Sequence, residues 1–447
     1  MQEMTFRGSS GWLGRAATAA VLAAASWSGM GARGLPVDGA ATSGAASGAK
    51  AGAKAGGPDQ ALPPRVRIEV GPLGYMPPSK SYVTYGFSLA TLDFIDADHL
   101  LFTFRVHSLM KRIPDDPGND DDQTIRAEVI EIASGKVLKQ ADWRMHDRAR
   151  YLWPLKDGRF LVRQRNSLFL TDRGLELRPY MTFENTLDAV HLSPGRGLML
   201  IEVEKLLPPE DPSANSGPSP GDTPAPATRR KRVELSLLHP GETTPIAETE
   251  VPRVIDMALF DDGFLDIKDG PEHNQWAITR APFHGKPGTV GFIRSTCKPS
   301  LQPLSDDVVL AEHCSPNRTL GDREVTVLSV TGAVLWRDHW APKYILPSFD
   351  YAQNGSRFAY ESLEVNREIV NMQSFGDDDV VGQPVGVFDT LTGKLDLVRD
   401  ATPVLTGGHN FALSADGRQF AILRDGAIEI YDLPPVEAPT APPAKKK

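Results

Sequence analysis

The stretch FALSADGRQFAILRDGAIEIYDL, residues 411–433, decides the fold. Two apolar segments flank Asp416-Gly417, and a third follows Asp425-Gly426. Asp-Gly is the strongest short-range hairpin signal, because two-residue hairpin turns need positive φ and this pair tolerates it. The reading is therefore three short antiparallel strands in succession.

The same unit recurs upstream as WPLKDGRFLVRQ (153–164), VHLSPGRGLMLIEV (190–203) and FDYAQNGSRFAYES (349–362). Weaker copies are LDFIDADHLLFTF (92–104), MALFDDGFLDI (257–267) and QPLSDDVVLAE (302–312). A further strand pair around a Gly turn follows several of them, as in VIEIASGKVLKQ (129–140), LFLTDRGLELRP (168–179), VTVLSVTGAVLWR (325–337) and VGVFDTLTGKLDLV (385–398). Four strands repeating at roughly 40–50 residues predict a β-propeller. The expected fold is all-β with seven blades, starting near residues 87, 151, 188, 254, 301, 347 and 410. A β-sandwich of unrelated hairpins is the competing architecture.

The ends sharpen the count. The last unit holds three strands before the Pro-rich tail, and RVRIEVG (65–71) is an alternating strand without a partner. Pairing the two predicts 3+1 closure, with the N-terminal strand completing blade 7 as its outermost strand and leaving no free edge there.

Flanking segments read differently. Arg7 and Arg15 precede the apolar run 16–27, and small residues follow. This is the pattern of a secretory signal, expected over 1–32, and the run is short for a span of roughly 20 residues. Residues 33–64 are Ala/Gly/Ser-rich and 434–447 are Pro/Ala/Lys-rich, compositions that cannot bury enough surface to order themselves. The expected location is periplasmic or extracellular. Only Cys297 and Cys314 are present, and in an oxidising compartment they are expected to pair across the junction of blades 4 and 5.

SADGRQFAI (414–422) and NGSRFAYES (354–362) resemble the Ser-x-Asp-Gly-x-x-hydrophobic repeat of the bacterial Tol-system propeller and its relatives, similar in architecture to WD-repeat proteins. The resemblance covers about four of seven blades. Pro194-Gly195 lacks the Asp, Asp306-Asp307 lacks the Gly, and no Trp-Asp pair ends a blade. It implies an exported propeller and, a fold being no function, no activity.

The net charge of −9 argues against nucleic acid, whose binders carry a basic stripe. No GxSxG, HExxH, phosphate-cradling loop or dinucleotide fingerprint is present, so no catalytic residue, metal ligand or cofactor is assigned. The three longest insertions fall between strands b and c of blades 1, 3 and 6, within 106–125, 205–231 and 366–383. Long loops on one face of a rigid scaffold are where binding concentrates. Two are acidic, at Asp115, Asp116, Asp120, Asp121 and Asp122 and at Asp377, Asp378 and Asp379; Ca²⁺ is the ion such runs would suit, although their spacing departs from the EF-hand pattern. Tyr75, Tyr82, Tyr85, His146, Arg148, Arg150, His339, Trp340, Tyr344 and His409 are expected to ring the channel mouth on that face, aromatics and Arg being the types that dominate interfaces. The expected function is a monomeric binding or scaffold propeller for a protein, peptide or envelope partner. The alternative is a hydrolase or lyase, which charged side chains converging in the channel would favour.

Overall fold

The computed structural model describes residues 62–77, 90–106, 123–145, 150–206, 231–251, 258–315, 323–340, 344–367, 376–405 and 409–436. The predicted signal and most of the flanking linker and tail lie outside these residues. The body is all-β: seven sheets, each an antiparallel meander of four strands labelled a to d from the channel outward. Strand a spans Thr91–Phe94, Leu152–Pro154, Thr186–Leu192, Ala258–Phe260, Ser300–Ser305, Tyr344–Tyr351 and Phe411–Leu413 in blades 1 to 7. A fifth short strand, Val380–Gly382, extends blade 6 beside Arg357–Val365.

Closure follows the expected pairing of the two ends. Val66–Glu69 pairs antiparallel with Ala427–Asp432, Val66 opposite Ile430 and Glu69 opposite Ala427. Ile68 is buried there, and Arg67 donates to the Glu429 carboxylate at 2.6 Å and to the Asp425 carbonyl at 2.9 Å. A second tie joins the ring: Leu92 N–H of blade 1 donates to the carbonyl of His409, just before blade 7, at 2.7 Å.

The core lies between blades. Ile68, Leu92, Phe102, Phe104, Ile130, Leu423, Ile428 and Ile430 fill the junction of blades 7 and 1. Strands inside a blade are covered on both faces, so they read as unbroken apolar runs: Phe420 to Leu423 are all fully buried. The outer strand Val137–Met145 buries only Trp143 and Met145, two residues apart on one face.

The turn chemistry corrects the sequence reading in one respect. Asp425-Gly426 is a two-residue turn with both φ positive, 47° and 75°. Asp416-Gly417 is not; only Gly417 has positive φ, and the hairpin turns through four residues between Ser414 and Gln419. Ser414 organises it: its hydroxyl donates to Asp416 Oδ1 at 2.7 Å and accepts from the N–H groups of Arg418 and Gln419. Blade 3 reproduces this without its own Asp. Ser193 Oγ donates to Asp261 Oδ1, and Gly197 N–H donates to the same oxygen at 3.1 Å, so blade 4 supplies the carboxylate. Gly195 and Arg196 thereby occupy the places of Asp416 and Gly417.

Cys297 follows strand d of blade 4, Cys314 ends strand b of blade 5, and the two are disulfide-bonded across the junction. The pair closes a loop of 17 residues, for which chain entropy gives about 3 kcal/mol. Replacing both by Ser should lower the urea midpoint accordingly; an unchanged midpoint would mean that the blade junction holds itself.

Candidate functional site

Charged groups from distant parts of the chain converge where the strands a meet. Asp93 lies mid-strand in blade 1 and Asp350 near the end of strand a in blade 6. Arg196 comes from the a–b turn of blade 3, and Arg150 from the residues leading into blade 2. Blades 1, 3 and 6 are spread around the ring, so their side chains can meet only at the centre. Gln353 Nε2 also approaches the Gly195 carbonyl at 3.5 Å, from the a–b turn of blade 6 to that of blade 3.

This arrangement floors a cavity of about 570 Å³ lined by Asp93, Asp350, Arg196, Gln353, Leu155 and Leu413 among others. Its wall is built from a–b turns, so it opens on the face opposite the long b–c connections. Asp350 Oδ2 accepts the N–H of Leu413 at 2.7 Å. Among the described residues Arg196 donates from Nη1 to the Leu155 carbonyl, at 3.4 Å. Arg150 donates to the Leu152 carbonyl at 3.2 Å and lies 5.7 Å from the centre of the Trp153 ring.

Burial dominates the electrostatics. It raises the Asp93 carboxyl to about 7, with repulsion from Asp350 adding and the two guanidiniums opposing. Burial likewise raises Asp350. His409 is held well below the ordinary imidazole range by burial and by the Arg150 cation, so it is neutral near pH 7. Burial raises the Tyr351 phenol, which accepts from Gln302 Nε2 at 3.3 Å.

The residues singled out from sequence scatter. Arg150 and His409 belong to the central cluster. Tyr75 is buried in the core, edge-on to Phe102 and Phe104 at 5.5 and 5.6 Å. Trp340 stacks on Tyr360 at 4.0 Å between blades 5 and 6. His339 is the last residue but one of strand d in blade 5, and Tyr344 begins strand a of blade 6. Tyr82, Tyr85, His146, Arg148 and the first acidic run lie outside the described residues. In the second run, Asp379 accepts from the Arg367 guanidinium and from Gly376 N–H. Among the described residues no three His, Cys, Asp or Glu side chains gather as a metal-holding group. Sequence reasoning missed Asp93, Asp350 and Arg196. The available signal was a carboxylate inside the apolar strand a of LDF (92–94) and FDY (349–351), a place that Ala412 takes in blade 7.

No family model and no curated protein matches the chain. Among solved structures it is similar to the uncomplexed Pyrococcus horikoshii acylaminoacyl peptidase, at 11% identity and TM-score 0.45, over 80% of this chain and 54% of that one. It spans about half the length of that peptidase. A chain of the mitotic checkpoint complex is 11% identical, with TM-score 0.42 over 89% of this chain and 99% of that one. A chain of Kuenenia stuttgartiensis hydrazine synthase is 9% identical, with TM-score 0.41 over 81% and 100%. Likeness at this level concerns architecture and assigns no activity.

Proposed function

We propose that this chain is an exported binding propeller that engages a protein, peptide or envelope partner through the face bearing its long b–c connections. One observation carries the reading. The connections within 106–122, 207–230 and 368–379 leave from the same end of their blades, after strand pairs that close at Arg105 with Ile125, Leu206 with Lys231 and Val365 with Val380. The opposite face instead carries short a–b turns that brace one another, as where Asn354 donates to the carbonyl of Asp416. The interblade disulfide supports export, and the Ser-x-Asp-Gly turn at 414–417 supports kinship with Tol-type propellers. Among the described residues no helix is long and apolar enough to cross a membrane.

Replacing residues 108–121 and 368–375 by short Gly/Ser links should leave stability within about 1 kcal/mol, since loop length acts only logarithmically. Cross-linked partners recovered from an envelope extract should then be lost. If the same proteins cross-link with unchanged yield, the b–c face is not the binding face. The second reading, a hydrolase or lyase, is favoured by the charge convergence in the channel; it would show as turnover abolished by Asp93→Asn.

A further inference from the structure

We propose that the central cavity binds a small zwitterion of the α-amino acid type, its ammonium between Asp93 and Asp350 and its carboxylate on Arg196. This site lies on the face opposite the b–c connections, so it stands or falls apart from the partner reading above.

The first observation is unspent charge. Among the described residues the Asp93 carboxylate accepts no hydrogen bond and joins no ion pair, although the Arg150 and Arg196 guanidiniums both act on it. Neither Arg196 nor Arg150 forms an ion pair within 4.0 Å with Asp93 or Asp350. Opposite charges that could have collapsed onto each other are held apart by separate blades. Charges of both signs held on separate elements around one cavity are complementary to a ligand that carries both signs.

The second observation is the backbone at Arg196. Its φ is +54°, in the left-handed region, at the place where blade 7 has Gly417 with φ +68°. A glycine would fit this turn at no steric penalty, whereas a long side chain there costs on the order of 1 kcal/mol. The strained position aims a guanidinium into the cavity, and strain of this kind clusters at ligand sites.

Charge pattern and volume select the ligand class. The lining carries both signs, with Asp93 and Asp350 beside the Arg196 guanidinium, so a simple amine or a simple acid would leave one sign unmatched. About 570 Å³ lies within the range of small-molecule sites, with Leu155, Phe94 and Leu413 offering apolar wall for a side chain. Asp350, Arg150 and Arg196 act on Asp93, Asp93 acts on the Tyr151 phenol, and Arg150 acts on the His409 imidazole. Between pH 6 and 8 the imidazole and the phenol stay neutral, while Asp93 ionises near 7. An ammonium prefers the ionised carboxylate, so affinity rises with pH over that range, and Asp350, shifted in the same direction, adds the same sign.

Calorimetry of the purified chain with each of the twenty L-amino acids tests this directly. For the tightest binder, its carboxamide and its deaminated acid should each bind at least tenfold more weakly, the loss of one charge-assisted contact. Asp93→Asn and Arg196→Gln should weaken binding by a similar factor. Arg196→Gly should abolish binding while leaving the unfolding midpoint equal or higher, because glycine relieves the turn. The proposal is overturned if no amino acid binds with Kd below about 10 mM. It is also overturned if the amide and the acid bind as well as the parent, if affinity falls from pH 6 to 8, or if Arg196→Gly binds like the wild type.

Discussion

Deleting residues 1–71 is expected to abolish cooperative unfolding, although it removes only one short strand from the body. Val66–Glu69 covers the edge of Ala427–Asp432, and Ile428 and Ile430 are fully buried beneath it. Without it blade 7 keeps three strands, a row of unpaired backbone groups opens, and Ile130 and Phe102 of blade 1 lose part of their cover. The single substitution Ile68→Asp places a carboxylate in that junction and should cost about 4 kcal/mol, the sum of a lost core side chain and a buried charge. A permuted chain separates closure from mere sequence loss. Arg65 N–H donates to the Ile430 carbonyl at 2.7 Å, and its guanidinium lies 3.3 Å from Asp432, so the C-terminal strand runs almost directly into the N-terminal one. Moving residues 63–71 behind Leu433 through a short turn should restore two-state urea unfolding. If the truncated chain unfolds cooperatively with the wild-type midpoint, ring closure does not depend on this strand.

Closure was legible because it is a counting argument: three strands at one end and one at the other, each with its own alternation. The blades were legible where turns carry Asp-Gly and obscure where they do not, and blade 3 shows why. The turn SPGRG (193–197) looks degenerate in isolation, but its missing carboxylate arrives from Asp261 in the next blade. A local motif cannot reveal a partner borrowed across a junction. The role of Ser414 was hidden for a related reason, since Asp-Gly marks a turn without saying which side chain ties it.

The candidate site was less legible. Asp93, Arg196 and Asp350 belong to blades 1, 3 and 6, and nothing in their spacing brings them together until the ring closes. Two of the aromatic residues expected at a binding face instead pack in blade junctions. Tyr75 follows the closing strand through the turn at Val70 to Gly74 and drops against Phe102 and Phe104. Trp340 finds Tyr360 on the adjacent blade. Aromatic surface suits a blade junction as well as an interface, and residue type alone does not choose between them.

Arg357→Ala should be among the most damaging single substitutions, at about 3–5 kcal/mol, because it strips one partner from a buried charge pair. Arg357 begins strand b of blade 6 and is 1% exposed. Its Nε donates to Asp396 Oδ2 at 2.8 Å, its Nη1 to the Gly417 carbonyl at 2.7 Å, and its Nη2 to the Pro434 carbonyl. One guanidinium thus joins the outer strand of blade 6, the a–b turn of blade 7 and the chain just beyond its last strand. Alanine leaves the Asp396 carboxylate buried without its cation and two carbonyls without a donor. Lysine should recover only part of the loss, since an ammonium lacks the planar fork that reaches three acceptors in different directions. The double substitution Arg357→Met with Asp396→Leu removes both charges and should return to within about 2 kcal/mol of the wild type. That ordering, with the double variant more stable than Arg357→Ala, distinguishes an unpaired buried charge from simple loss of packing. Urea midpoints would measure it, and an Arg357→Ala variant within 1 kcal/mol of the wild type would show that blades 6 and 7 are held together by their apolar contacts alone.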